Sequence, residues 1–187
     1  MARVGDKRAR LVAAAGKLFH EQGITVTTLA NIAQLADVLL GNVYYYFKTK
    51  EAIILDVINH RRELIAQQIK ELNNIENTKE RLQSLVRQTA GHSIETAKFG
   101  DALGSLCQEL GRQGGQLADA AASLLQEIMT WCEAQFTTLG KGAEARQLSM
   151  MLVSSLQGIS LLTLTFKEPN YTKQQAYYLV NWLDAVA

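Results

Sequence analysis

Residues 27–50 read TTLANIAQLADVLLGNVYYYFKTK, and the way this stretch joins two apolar patterns decides the fold. Its second half sets Tyr44, Tyr45 and Tyr46 in a row, followed by Lys48 and Lys50. Three successive residues of a helix point in directions about 100° apart, so the rings cannot all enter one core. Each buried phenol would also need a hydrogen-bond partner. At least one ring therefore belongs at the surface beside the lysines, a combination suited to gripping a phosphate backbone. The window alone also fits a half-buried strand bounded by turn residues, and its flanks decide between the two.

Upstream, Leu11, Ala15, Leu18 and Phe19 recur at three- and four-residue steps over 7–22, one face of an amphipathic helix that Gly23 ends. Thr27 and Thr28 offer capping hydroxyls to a short second helix with Leu29, Ile32, Ala33 and Ala36 on its apolar face. A third helix over about 40–47 turns Val43 and Phe47 inward. Two helices that cross steeply need a small residue where their backbones meet, a turn residue tolerant of positive φ and an apolar anchor in the second helix. Ala33, Asp37 and Val43 fall at those intervals. The arrangement is that of a helix-turn-helix, with Leu40, Gly41, Asn42, Tyr45 and Tyr46 facing outward as a groove-reading surface.

The rest of the 187-residue chain is consistent with an all-α protein. It is 48% hydrophobic with one proline, Pro169, so it has enough apolar material for a sizeable core and few helix breakers. No consecutive apolar run reaches the ~18 residues of a membrane span, and MARVGDKRAR lacks the apolar block of a signal peptide, so the expected location is the cytoplasm, with no membrane partner. Residues 1–62 hold nine Lys and Arg against five acids, a balance of +4 that leaves −3 for the remainder of a chain whose net charge is +1. That asymmetry suits a nucleic-acid reader joined to a separate module. Cys107 and Cys132 lie 25 positions apart without a CxxC or a Cys/His cluster, so no metal site or disulfide framework is expected. His20, His60 and His92 are scattered, no paired carboxylates or activated nucleophile stand out, and no GxxxxGK[ST] loop is present. Neither an enzyme nor a cofactor is expected.

Beyond the head, 50–72 form a long helix, and Asn77 with Glu80 makes a capping box for the next. The glycines around GDALGSLCQELGRQGG mark helix, loop and helix. A helix follows over 116–139, then two more over about 143–166 and 172–186, the last capped by Thr172 with Gln175. Their apolar faces, MMLVSSLQGISLLTLTF and AYYLVNWLDAVA, are wide enough to require burial on all sides or a partner chain.

The run TTLANIAQLADVLLGNVYYYFKTKEAI, with LFHEQGITVTT before it and a Tyr-x-x-Phe-x-x-Lys-Glu ending, resembles the DNA-binding domain of TetR-type bacterial transcriptional regulators over about 7–57. Two positions depart from the family pattern: Asp37 stands where Gly is usual in the turn, and Leu39 where Ser or Thr usually caps the reading helix. Asp tolerates the left-handed conformation, whereas loss of the cap costs about 1 kcal/mol of local helix stability.

The resemblance implies a three-helix DNA-binding domain over 1–50, a connecting helix over about 50–72, and an effector-binding and dimerisation domain over 73–187. It implies that Thr28, Tyr44, Tyr45, Lys48 and Lys50 hold phosphates, while Gly41 allows close approach beside Leu40. Asn42 is the candidate base reader, because its amide pairs bidentately with adenine. The implied partners are a palindromic double-stranded DNA operator, a second copy of the chain joined through the last two helices, and a small-molecule effector that releases a repressor from DNA. Phe99, Leu103, Cys107, Trp131, Phe136 and Met150 are the candidate pocket lining, with core packing as the competing reading for each. The alternative is a helical adaptor or ligand carrier that kept the fold and lost DNA binding, motivated by Asp37 and Leu39.

Overall fold

The computed structural model describes residues 4–186, and among them every regular element is an α-helix. In chain order these are α1 (Val4–Gln22), α2 (Leu29–Leu35), α3 (Leu40–Tyr46), α4 (Lys50–Asn73), α5 (Thr78–Gly91), α6 (Ser93–Phe99), α7 (Ala102–Gln113), α8 (Gly115–Thr138), α9 (Ala145–Phe166) and α10 (Pro169–Val186). The all-α class expected from composition is the observed one. The chain forms two compact units, one taking the described residues up to Glu63 with Ser105–Leu124, the other Leu64–Gly104 with Leu125 onward. Sequence reasoning put 105–124 in the second module; in the structure these residues cluster with the head. The boundaries fall within the residue ranges of α4, α7 and α8.

In the first unit, Gly23 at φ 90° ends α1 in a conformation that costs glycine nothing, and the chain turns into α2. Leu11, Ala15 and Phe19 of α1, Ile32 and Ala33 of α2, Val43 of α3 and Phe47 just beyond it are all buried. Ile53, Ile58, Leu110 and Leu124 are buried in the same unit. Thr28 is the cap of α2: its hydroxyl accepts from the Asn31 N–H at 3.1 Å, and Asn31 Oδ1 accepts from the Thr28 N–H at 3.0 Å. Thr27, the other expected capping residue, is wholly buried and donates instead to the Gly23 carbonyl at 2.7 Å.

The second unit is built on a core of Leu72, Leu82, Leu85, Val86, Trp131, Cys132, Phe136, Leu152, Leu156, Leu179 and Leu183. Helix α10 packs on α5, α6 and α9, and α6 packs on α9. Asn77 caps α5 by accepting from the Glu80 N–H at 3.0 Å. The last helix begins at Pro169, whose fixed φ suits a first helical position, and not at Thr172. Thr172 is buried one turn inside, its hydroxyl 2.7 Å from that of Thr163. Helix α9 is long and apolar enough, by length and composition, to cross a membrane, although polar residues interrupt its apolar stretches. Its Leu148, Leu152, Val153, Leu156, Ser160 and Thr163 face the protein core, while Met150, Met151, Leu161, Leu162 and Phe166 are exposed.

Candidate DNA-binding face

The turn between α2 and α3 sets the pose of the reading helix. Asp37 takes φ 51°, the left-handed conformation that the steep crossing demands. An arginine one helix away holds it there. Arg10 Nη2 donates to the Ala36 carbonyl, to the Asp37 carbonyl at 3.0 Å and to Asp37 Oδ2 at 3.1 Å. Aspartate in place of glycine is thus matched by a guanidinium that satisfies the carbonyls of the turn. The Val38 N–H donates to the Ala33 carbonyl at 3.0 Å, closing the turn over the small residue at the crossing.

Helix α3 offers Leu40, Gly41, Asn42, Tyr44 and Tyr45 to solvent while Val43 is fully buried. A side chain at Gly41 would meet nothing within 4 Å, so its backbone is open to close approach. Tyr46 is the half-buried ring of the three, edge-on to Tyr45 with centroids 5.1 Å apart. Leu39 stands at the cap position with no side-chain hydrogen bond and is 78% exposed, as the departure from the family pattern implies.

The basic residues divide into two groups that the sequence does not separate. Arg8 pairs with Asp56 at 2.6 Å and lies over the Phe47 ring at 5.3 Å, Arg10 holds the turn, and Arg62 donates to Asn59 and Ser123. Lys50, expected to hold phosphate, has its ammonium on the Ile24 carbonyl and, at 3.3 Å, the Thr25 carbonyl. That contact replaces the expected phosphate role with an internal one. Lys48 is exposed. Thr28 is exposed but uses its hydroxyl for the α2 cap, donating to Asn31 Oδ1 at 2.7 Å.

Residues that sequence reasoning missed are Arg10 and Glu109. A non-glycine residue at a left-handed turn position is a signal that some partner must hold the turn, but it does not name Arg10. Nothing local marks Glu109, which lies 85 positions from its partner Ile24.

The six proposed pocket residues do not gather. Cys107 belongs to the first unit, where its thiol donates to the Ala121 carbonyl at 3.2 Å, and the other five belong to the second. There Phe136 and Trp131 are core: Phe136 is fully buried against Trp182 with centroids 6.1 Å apart, and Trp131 Nε1 donates to Asn73 Oδ1 at 2.9 Å. Met150 is 47% exposed. Phe99 lines an open cavity of about 330 Å³ with Gly91, His92, Ile94, Glu95 and Lys98, and the other five do not border it. Burial pushes the Cys132 thiol up to about 12, which makes it a poor nucleophile at neutral pH. Among the described residues no three His, Cys, Asp or Glu side chains come together as metal ligands.

A short helix presenting exposed polar and aromatic side chains, set by a left-handed turn on a compact three-helix head, defines a helix-turn-helix DNA-binding protein. Comparison with known proteins narrows the class. The family described as "Bacterial regulatory proteins, tetR family" matches residues 11–57. Over 167 residues the chain is 26% identical to the HTH-type transcriptional regulator LmrA of Bacillus subtilis, covering 87% of this chain and 89% of that one. Over 83 residues it is 29% identical to the HTH-type transcriptional repressor KstR2 of Mycobacterium tuberculosis, 44% of this chain and 42% of that one. Its fold superposes on the crystal structure of a TetR transcriptional regulator from Chloroflexus aurantiacus with a TM-score of 0.86 at 16% identity, covering 98% and 97% of the two chains. Residues 11–57 thus match the DNA-binding domain of the TetR-type transcriptional regulators, and the chain as a whole is similar to regulators of that kind.

Proposed function

We propose that this regulator is a cytoplasmic repressor that binds a palindromic operator as a homodimer and is released by a small-molecule effector. The observation that carries the reading is the outward face of α3, with Asn42, Tyr44 and Tyr45 exposed on a turn that Arg10 locks. On it Asn42 reads a base edge, while Tyr44 and Tyr45, with Lys48 just beyond the helix, contact phosphate, and Leu40 and Gly41 lie against the groove wall. Repression is supported by the similarity to KstR2, itself named a repressor.

The homodimer is supported by the outer sides of α9 and α10. Met150, Met151, Leu161, Leu162, Phe166, Tyr177 and Tyr178 are all exposed on these two helices, and large apolar side chains gathered on one face mark an association surface. A side chain at Gly158 of α9 would meet nothing within 4 Å, so a second helix has room to approach there. Two heads on such a dimer reach successive major grooves only if they sit about 34–36 Å apart, and an effector that binds the DNA-free spacing more tightly weakens operator binding by linkage. The effector site belongs in the second unit, and the cavity beside Phe99 supports a ligand that is apolar on one side and polar on the other, because Ile94 and Phe99 line it with Glu95 and Lys98.

The experiment is selection of duplexes from a random-sequence library by the full-length protein, followed by titration of Asn42→Ala. A two-fold symmetric site is expected, and Asn42→Ala should lose about 1–3 kcal/mol of discrimination at one position per half-site. Failure to enrich any sequence at low salt would favour the adaptor reading, and enrichment with unchanged discrimination in Asn42→Ala would remove Asn42 from the reading face.

A further inference from the structure

The turn between α1 and α2 is held from both sides by charged side chains distant in sequence. On one side the Glu109 carboxylate, from α7, accepts three hydrogen bonds: from the Ile24 N–H at 2.8 Å, the Thr25 N–H at 2.6 Å and the Thr25 hydroxyl at 2.6 Å. On the other side the Lys50 ammonium, at the start of α4, donates to the carbonyls of the same two residues. Both peptide faces of Ile24–Thr25 are therefore satisfied by ions. Gly23 completes the seat: a Cβ there would lie 3.2 Å from Glu109 Oε2, and its φ of 90° disfavours a side chain in any case.

This is more than a local tie. Thr28, three residues past Thr25, caps α2, and α2 carries the turn that aims α3. Charge-assisted hydrogen bonds to backbone N–H groups are short and direction-specific, so they fix an orientation where apolar packing leaves latitude. Burial opposes ionisation of Glu109, yet the Thr25 hydroxyl, the Ile24 and Thr25 amides and the Lys50 charge outweigh it and hold the carboxyl below its ordinary range.

We propose that Glu109 is a positioning residue for operator recognition: it makes no contact with DNA, but its grip on the α1–α2 turn fixes the pose of the reading head on α7. The consequence differs in sign from plain electrostatics. Replacing a carboxylate by a neutral amide removes a negative charge from a DNA-binding unit, which by charge alone tightens binding to any DNA. Loss of pose instead weakens recognition of sequence and spares the phosphate attraction.

The test uses full-length Glu109→Gln, nearly the same shape, and Thr25→Val, which removes one of the three hydrogen bonds. Each is titrated, well below its melting temperature, against a duplex selected by the wild-type protein and against a random-sequence duplex of equal length. Glu109→Gln is expected to bind the selected duplex about tenfold more weakly, with affinity for the random duplex unchanged or higher, and Thr25→Val to show a smaller loss of the same kind. A purely structural role lowers the melting temperature and leaves both affinities of the folded protein intact, which overturns the proposal. Parallel weakening on both duplexes overturns it as well. Should Glu109→Gln fail to fold, Thr25→Val decides by the same two criteria.

Discussion

Both units close over apolar cores, but in the first the turns are held in addition by ions on backbone groups. In the head, Arg10 seats the α2–α3 turn, Thr28 caps α2, and Lys50 with Glu109 holds the α1–α2 turn. In the second unit, Leu72, Leu82, Phe136, Leu152 and Leu183 are wholly buried or nearly so, and polar contacts such as Trp131 with Asn73 and Arg81 with the Ile75 carbonyl accompany that core. Directional bonds specify where an element points, which a reading helix needs. Volume filling specifies that a core closes, which leaves room for sequence to drift while the fold persists. The difference accords with a chain whose family match is confined to 11–57 while its fold matches over nearly its full length.

The largest expected effect tests the second half of that contrast. Phe136→Ala removes a fully buried ring that packs edge-on against Trp182, and should cost about 3–5 kcal/mol of stability from lost transfer energy plus the cavity left behind. Urea unfolding followed by circular dichroism measures it. A loss under about 1 kcal/mol would mean that the second unit does not depend on its packing, and the comparison would fail.

The next effect separates two lysines that look alike in sequence. Lys50→Ala strips the α1–α2 turn of its cation and leaves the nearly buried Ile24 carbonyl without that donor, so it should destabilise the protein by about 1–3 kcal/mol. Lys48→Ala touches an exposed side chain and should change stability by no more than about 0.5 kcal/mol. In DNA binding, however, it should lower the slope of log K against log salt by about one. Thermal melts and salt titrations of both variants check this pair. Equal stability losses would show that the head is not organised by ions on its turns.

The same pair shows what was legible in the sequence. Caps, breakers and the left-handed turn are local signals, so the end of α1 at Gly23, the crossing of α2 and α3, and the inward Val43 and Phe47 could all be read from neighbours a few positions apart, whereas the start of α1 at Val4 was read three residues late. The exposed face of α3 follows from the same periodicity at Leu40, Gly41, Asn42 and Tyr45, but Tyr46, expected outward, is half-buried and Tyr44 is exposed in its place. Whether Lys50 meets phosphate or the Ile24 carbonyl depends on a residue 26 positions away, and periodicity carries no such information. The effector pocket was less legible still. Apolar residues that line a cavity and those that fill a core have the same sequence spacing, which is why Trp131 and Phe136 turned out packed while Phe99 borders open space. The start of α10 was misplaced by three residues because a threonine with a following glutamine reads as a cap, whereas Pro169 already suits the first turn and Thr172 is used inside.

The smallest expected effect concerns pH and sharpens the claim that ions organise the head. Glu109 has its folded-state pKa held below its ordinary value of 4.5, so its ionised form is favoured by folding. A group of this kind contributes stability that is fully present above its unfolded pKa and lost as pH falls through the folded one. Glu109→Gln cannot titrate. The difference in melting temperature between wild type and this variant should therefore stay constant from neutral pH down to about 4.5, then close in more acid solution. Glu51 is also held low, first by a hydrogen bond to backbone and then by Thr49 and Lys50, but it is present in both proteins and cancels in the difference. Paired melts at stepped pH read the gap directly. A gap that persisted undiminished to about pH 3 would mean that the carboxylate stabilises the turn by shape and not by charge, and the ionic account of the head would need to rest on Arg10 and Lys50 alone.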